Sequence, residues 1–150
     1  MTFLDQLVPV GLEQGRVVRQ ADGFTVTAGA MTDIYTPPDG SAPIDKVVGF
    51  SLPLPEGPVQ VSARVAPHFV ADFDAGALLV RTAAGNWAKL AYEHAPDKRR
   101  MAVSVVTCGI SDDANGPSFA LPALFLRVYR AGAFFAFHIA ADGATWDFLR

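Results

Sequence analysis

The segment Trp87–Glu93 carries an aromatic ring, an amine and a carboxylate at alternate positions. Because side chains alternate from side to side along a β-strand, we expect Trp87, Lys89 and Glu93 on one face and Tyr92 on the core side. An aromatic ring can stack on a sugar, and amine and carboxylate groups hydrogen-bond with its hydroxyls. The pattern favours a saccharide site on a sheet face; the alternative interpretation is a solvated face with a Lys–Glu pair.

The sequence contains no cluster of metal ligands or activated nucleophiles. Its three histidines lie far apart, and its single cysteine, Cys108, is interpreted as a small buried hydrophobe. The run Ser111–Gly116 is rich in oxygen ligands, but Pro122 stands where a calcium loop of the EF-hand type needs an acid. Turn capping by Asp and Asn is the better interpretation. We therefore predict no metal and no cofactor.

Length and composition restrict the class of protein further. The 150 residues suit a single domain, residues 1–150, and the 51% hydrophobic and 18% charged content excludes a disordered chain. A net charge of -3 offers no electrostatic case for nucleic acid or an anionic membrane. The N-terminus lacks the basic region of a signal peptide, and Leu121–Ala141 is too polar to span a bilayer. We predict a cytoplasmic protein without membrane or nucleic-acid partners.

Short β-rich runs separated by turn residues dominate the chain. They are Phe24–Ala28, Lys46–Leu52, Val59–Val65, Ala77–Thr82, Trp87–Glu93, Met101–Thr107, Leu124–Tyr129, Phe134–Ala140 and Trp146–Arg150. Val59, Val61 and Val65 are expected on one buried face. The polar segments Pro37–Pro43 and Gly109–Pro117 are expected to be loops that carry function. The pattern predicts an all-β, two-sheet antiparallel sandwich with little helix.

Several motifs occur in the order and spacing of one family. They are Thr32-Asp33 with Tyr35, Asn86–Lys89 leading to Glu93, Ser104–Thr107 before Ser111–Asp113, Arg127 with Arg130, and Asp142-Gly143 before Trp146. Over residues 22–150 the chain resembles the YesU-like domain of unknown function, within the concanavalin A-like lectin/glucanase superfamily. The resemblance implies a jelly-roll sandwich whose concave sheet face holds sugars, and hence a lectin-like domain with an oligosaccharide as partner.

The resemblance and the alternation together predict which side chains meet the ligand. The expected ligand-binding residues are Trp87, Lys89, Glu93, Asp33, Tyr35 and Arg127. Asp33 and Tyr35 are two residues apart and point the same way in an extended segment. Arg127 and Arg130 occupy opposite faces of their strand, so at most one of them faces a ligand.

Two alternative functions stay open at this point. The first is a glycan-active enzyme of hydrolase, lyase or epimerase type that uses Glu93. Glycoside hydrolysis needs two carboxyl groups about 5.5 Å or about 6.5–9.5 Å apart. Alanines, Ala91 and Ala95, stand where the superfamily's glucanases carry further acids on this strand, so we assign no catalytic residue. The second alternative is a non-enzymatic assembly domain, which the high apolar content favours.

The resemblance also implies further strands after the Asp-Gly-x-x-Trp segment, whereas this sequence ends at Arg150. We expect a C-terminally short sandwich with an unpaired edge, which invites pairing with another chain. Either the stretch Phe3–Val10 fills the gap, or a second copy covers the edge in a symmetric dimer; an incomplete reading frame is a third explanation. Of these we favour a homo-oligomer.

Overall fold

The computed structural model describes residues 3–150 and divides the chain into two compact units. Unit 1 ends at Leu54, and unit 2 spans Pro55–Arg150. Each unit is built from antiparallel strands, and the described residues contain one 3-10 turn, Phe3–Gln6, and no α-helix. The prediction of an all-β protein with little helix is therefore confirmed. Among these residues, no helix is long and apolar enough to cross a membrane.

Unit 1 consists of short strand pairs. Its strands are β1 (Val8–Val10), β2 (Gly15–Arg19), β3 (Phe24–Ala28), β4 (Asp33–Tyr35), β5 (Ile44–Lys46) and β6 (Gly49–Ser51). They pair as β1 with β6, β2 with β3 and β4 with β5. The rings of Phe24 and Phe50 lie 4.5 Å apart, and the Arg19 guanidinium stacks 4.6 Å from the Phe50 ring. Arg19 also donates hydrogen bonds to the carbonyls of Leu4 and Leu7, so it links the N-terminal turn to these strands.

Unit 2 consists of two four-stranded sheets. Its strands are β7 (Val59–Val65), β8 (Ala75–Arg81), β9 (Trp87–His94), β10 (Arg100–Cys108), β11 (Ile110–Ser118), β12 (Leu124–Ala131), β13 (Phe134–Ala140) and β14 (Asp147–Phe148). We call the sheet with strand order β11-β10-β9-β8 sheet A and the sheet with order β14-β13-β12-β7 sheet B. All neighbours within both sheets are antiparallel.

One face of each sheet supplies the hydrophobic core of unit 2. Leu90, Tyr92 and Ala102 of sheet A form one buried cluster with side chains of sheet B, so the two sheets make a sandwich. The contributing side chains of sheet B are Leu124, Leu126, Val128, Phe137 and Ile139. The expected burial of Leu90 and Tyr92 is confirmed. Val59, Val61 and Val65 share the core side of β7 as expected, but they are half-buried because β7 lies at the edge of its sheet.

Tyr92 is the largest fully buried side chain of this core. Its ring packs edge-on against Phe69, with the centroids 5.2 Å apart, and its hydroxyl donates to the Leu121 carbonyl at 2.7 Å. The Phe119 carbonyl lies 3.1 Å from the same hydroxyl. Burial raises the pKa of the Tyr92 phenol. The hydroxyl thus ties β9 to the connection between the two sheets.

Strand β11 corrects one expectation, because Gly109–Pro117 was predicted to be a functional loop. The segment instead forms an edge strand that pairs with β10 from Met101↔Ser118 to Cys108↔Ile110. The acids of this segment are therefore strand residues, not turn caps. Exposed Asp112 and Pro117 lie on this outer strand of sheet A.

The two chain ends lie in different units. The stretch expected to fill a gap at the C-terminal edge instead contributes β1, which pairs with β6 in unit 1. At the other end, β14 pairs with β13, and Leu149 packs against the core cluster. The Arg150 guanidinium lies 2.5 Å from the Asp112 carboxylate of β11, so the last residues connect sheet B to sheet A.

Candidate functional site

The face of sheet A that points away from the sandwich core carries Trp87, Lys89 and Glu93, as the alternation predicted. Lys89 and Glu93 are half-buried, but Trp87 is only 8% exposed. The expectation of an open sheet face with a stacking tryptophan is therefore wrong for Trp87. Along the middle of the same face, Ala91 of β9 and Val105 of β10 are buried as well.

The carboxylates of this face are too far apart for glycoside hydrolysis. Within strands β8–β11, the face carries Glu93 of β9 and Asp113 of β11. Asp113 and Lys89 both lie opposite Val105 of β10. Asp113 is therefore separated from Glu93 by two strand spacings across the sheet and by four residues along the strand. Strand spacings put their Cα atoms about 16 Å apart, and because both side chains stand off the same face, their carboxyl groups are separated by more than the distance in a catalytic pair, about 5.5–9.5 Å. These strands thus provide no pair for a hydrolase that uses Glu93.

Asp33 and Tyr35 belong to unit 1, where they occupy both ends of β4. Ile34 between them is buried, so the two side chains share the opposite side of the strand, as expected. The Asp33 carboxylate accepts a hydrogen bond from the Ile34 backbone N–H at 2.7 Å. Tyr35 is half-buried and Asp33 is exposed.

Cysteine and metal chemistry have no assembled site in the described part of the chain. Among residues 3–150, no three side chains of the metal-binding types His, Cys, Asp and Glu come together. Cys108 is exposed, so its interpretation as a buried hydrophobe was wrong. The reason is its position at the last residue of β10, beyond the part of sheet A that contributes to the core cluster.

Arg127, the sixth predicted site residue, lies in the other sheet. It belongs to β12 and points to the side of sheet B opposite the core, whereas its neighbours Leu126 and Val128 are buried. We call this side the outer face of sheet B. Arg130 has the opposite orientation and donates hydrogen bonds to the carbonyls of Pro55 and Gly57. The structure therefore separates Arg127 from the row on β9.

The Arg127 side chain is held by two neighbours on this outer face. Its guanidinium carbon lies 3.4 Å from the centroid of the Trp146 ring, and its Nε–H donates to the Ser62 hydroxyl at 3.2 Å. Ser62 is the direct cross-strand neighbour of Arg127 on β7. Stacking and hydrogen bonding together fix the plane of the guanidinium.

A tight turn places Trp146 over Arg127. The Asp142 carboxylate accepts hydrogen bonds from the backbone N–H groups of Ala144 and Thr145, both at 2.8 Å. Gly143 has a φ of 73° and lies against the Phe125 ring, where an added Cβ would be 2.9 Å from a ring carbon. A residue with a side chain would be strained at this position and would displace the turn.

We expect the Asp142 turn to weaken in acid. The N–H groups of Thr145 and Ala144 lower the pKa of Asp142 below its ordinary value of 3.8. The folded-state pKa is thus below the unfolded one, so the stabilisation is complete above about pH 4 and is lost as the pH falls through the folded pKa. Asp142→Asn keeps an acceptor oxygen but cannot titrate. The difference in melting temperature between parent and variant should therefore shrink from about pH 6 to about pH 2; a constant difference would contradict the assignment.

Aromatic side chains surround the Arg127–Trp146 stack. The His138 ring, opposite Arg127 on β13, packs edge-on against Phe148 with the centroids 5.6 Å apart. Phe148 is 67% exposed, and Tyr129, two residues along β12, is half-buried. Sequence reasoning missed these residues as a group. The signal was present in the polar alternation of β7 and in the tryptophan of the Asp-Gly-x-x-Trp motif.

The fold and this outer face define a two-sheet β-sandwich protein with an aromatic and basic sheet surface. The chain belongs to the family described as "Protein of unknown function (DUF1349)", whose model matches residues 13–150. A search of curated proteins finds no match. The chain is similar to "a functionally unknown protein from Saccharomyces cerevisiae" of known crystal structure, with a TM-score of 0.82 and 24% identity over 99% of this chain and 80% of that one. That likeness shows the fold alone. The match confirms a family of unknown function, whereas the YesU-like assignment, the jelly-roll topology and the concanavalin A-like superfamily stay predictions.

Proposed function

We propose that this protein is a non-catalytic carbohydrate-binding domain whose ligand lies on the outer face of sheet B. One observation carries the proposal: aromatic rings and hydrogen-bonding side chains lie together on a sheet face where Ser62 and Phe148 are exposed and Arg127 is half-buried. Trp146, Tyr129 and Phe148 supply apolar ring surface, and Ser62 and Arg127 supply a hydroxyl and guanidinium donors. Carbohydrates present apolar C–H faces together with hydroxyls, so this mixture complements them.

The rigidity of the face supports the proposal. Arg127 and Trp146 hold each other by stacking, and the Asp142 turn fixes the backbone beside Trp146. A pre-ordered site loses less conformational entropy when a ligand binds, which matters for a shallow surface of modest area. In contrast, the row on β9 has its tryptophan buried, so we propose no stacking there and keep Lys89 and Glu93 as the competing site.

A glycan array followed by titrations tests the proposal. We expect the parent protein to bind at least one class of immobilised oligosaccharide. Trp146→Ala should then weaken binding of that oligosaccharide by about tenfold to a hundredfold, because a central aromatic contact contributes about 1.4–2.8 kcal/mol. Glu93→Gln is the matched control on sheet A and should bind as the parent does.

The opposite effects of the two variants would contradict the assignment of the ligand to sheet B. If Glu93→Gln weakened binding and Trp146→Ala did not, the ligand would lie on sheet A, as the sequence predicted. Melting temperatures of both variants show whether any loss comes from unfolding. If no oligosaccharide binds to the parent protein, carbohydrate binding itself is overturned.

A further inference from the structure

The three long strands of sheet B, β7, β12 and β13, together present arginines on the outer face. On these strands, the positions that point to this face include Arg64 and Arg127 but no aspartate or glutamate. The Asp142 carboxylate of the turn beside this face is occupied by the backbone N–H groups of Ala144 and Thr145. Arg64 and Arg127 lie on adjacent strands, one row apart, which puts their Cα atoms about 7–8 Å from each other. Two arginine side chains therefore start from neighbouring positions of the face that carries the aromatic residues.

Among residues 3–150, neither Arg64 nor Arg127 forms a salt bridge. The salt bridges of Asp72, Asp97 and Asp112 are made with Lys98, Arg99 and Arg150 instead. Arg127 uses its Nε–H for Ser62, and its terminal nitrogens make no hydrogen bond to the described residues. These N–H groups form the planar fork that binds a carboxylate with two parallel hydrogen bonds.

We propose that the ligand of this face is an acidic oligosaccharide, one whose sugar residues bear carboxylates, as in uronates. The proposal rests on the carbohydrate-binding function proposed above and names its ligand class. Arg127, fixed against Trp146, binds a carboxylate through its terminal N–H groups, while the rings accept the apolar face of the sugar. Arg64 receives a second carboxylate or hydroxyl of the same chain.

The test compares two ligands that differ only in charge. A uronate hexasaccharide and its carboxyl-reduced form share linkage and length, so titration calorimetry of both isolates the carboxylates. We expect the uronate to bind at least about tenfold more tightly, since a hydrogen bond to a charged group is about twice as strong as a neutral one. The preference should decrease when salt is raised from about 0.05 M to about 0.5 M, because salt screens exposed charges.

Substitutions test whether the two arginines cause the preference for the uronate. Arg127→Gln and Arg64→Gln should each reduce the ratio of the two affinities, and Arg127→Lys should restore it only in part because an ammonium lacks the planar fork. Arg99→Gln is the control for loss of one positive charge, since Arg99 lies in the β9–β10 turn and pairs with Asp97. It should leave the ratio unchanged.

Each other outcome overturns a defined part of the proposal. Equal affinities for the two hexasaccharides would overturn the acidic ligand but leave carbohydrate binding intact, provided that both bind. Binding of neither, together with an array that shows no glycan bound, would overturn both proposals. A uronate preference that survives in Arg127→Gln and Arg64→Gln would overturn the assignment to this face.

Discussion

Replacement of Tyr92 by alanine is expected to lower the free energy of unfolding by about 3–5 kcal/mol, as for other large-to-small changes in aromatic core residues. The side chain is fully buried, packs edge-on against Phe69 at 5.2 Å, and donates to the Leu121 carbonyl. Truncation leaves a cavity and also removes the donor from a carbonyl. Since small domains are stable by only about 5–15 kcal/mol, chemical denaturation should show a large decrease in midpoint.

Tyr92→Phe separates packing from hydrogen bonding. It keeps the ring but removes the hydroxyl, so it should cost about 1–2 kcal/mol, the penalty for leaving one buried acceptor unpaired. A loss of less than about 1 kcal/mol in Tyr92→Ala would contradict the position of this ring at the centre of the core. If Tyr92→Phe costs as much as Tyr92→Ala, the hydroxyl and not the packing is the main contribution.

Gly11→Ala is expected to disrupt unit 1 where β1 ends. Gly11 has a φ of 65°, and a Cβ at this position would lie 1.7 Å from the backbone oxygen of Val47. Because the obstructing atom is backbone, it cannot move away as a flexible side chain can. The left-handed φ and the clash together should cost about 2–5 kcal/mol. Hydrogen exchange of the amides in β1 and β6, which pair with each other, should accelerate.

Gly40→Ala is the matched control for this prediction. Gly40 also has a positive φ, 81°, but an added Cβ meets nothing within 4 Å. It therefore measures the conformational penalty alone, about 1–2 kcal/mol. Equal losses in the two variants would show that the close approach of Gly11 to Val47 is not part of the native structure.

Alternation along the chain was enough to predict several strands of both units. Strands β3, β7 and β13 have the predicted bounds, because each is a period-two or continuous apolar run between turn residues. The core position of Tyr92 followed from the same reasoning. In these strands, the local β-propensity of the residues agrees with the pairing and burial that the fold requires. The sequence alone is therefore sufficient to predict them.

Other elements depend on contacts that a local pattern does not contain. Strand β11 consists largely of Asp, Asn, Gly and Pro, which favour turns, and it is extended only because β10 pairs with it. The predicted strand Lys46–Leu52 is divided, since β5 ends at Lys46 and pairs with β4, whereas β6 pairs with the distant β1. Such short strands carry too few residues for periodicity to be visible.

Only part of the candidate site could be predicted, because the local pattern does not contain the contacts that bury or position its side chains. The alternation placed Trp87, Lys89 and Glu93 on one side, but it cannot tell an open face from a buried one. Arg127 and Arg130 lie on opposite faces of β12 as the alternation predicted, whereas a ligand-binding role of Arg127 stays a prediction. Trp146, however, lies outside a regular strand, and only the Asp142 turn brings it within 3.4 Å of the guanidinium.

The composition of β11 has a consequence for behaviour at high concentration. An unprotected outer strand can recruit further strands and start filament growth. Here an approaching strand would meet Pro117, which has no N–H to donate to it. We expect concentrated solutions to resist cross-β aggregation from this side, and a homo-oligomer, which stays a prediction, to form through another surface.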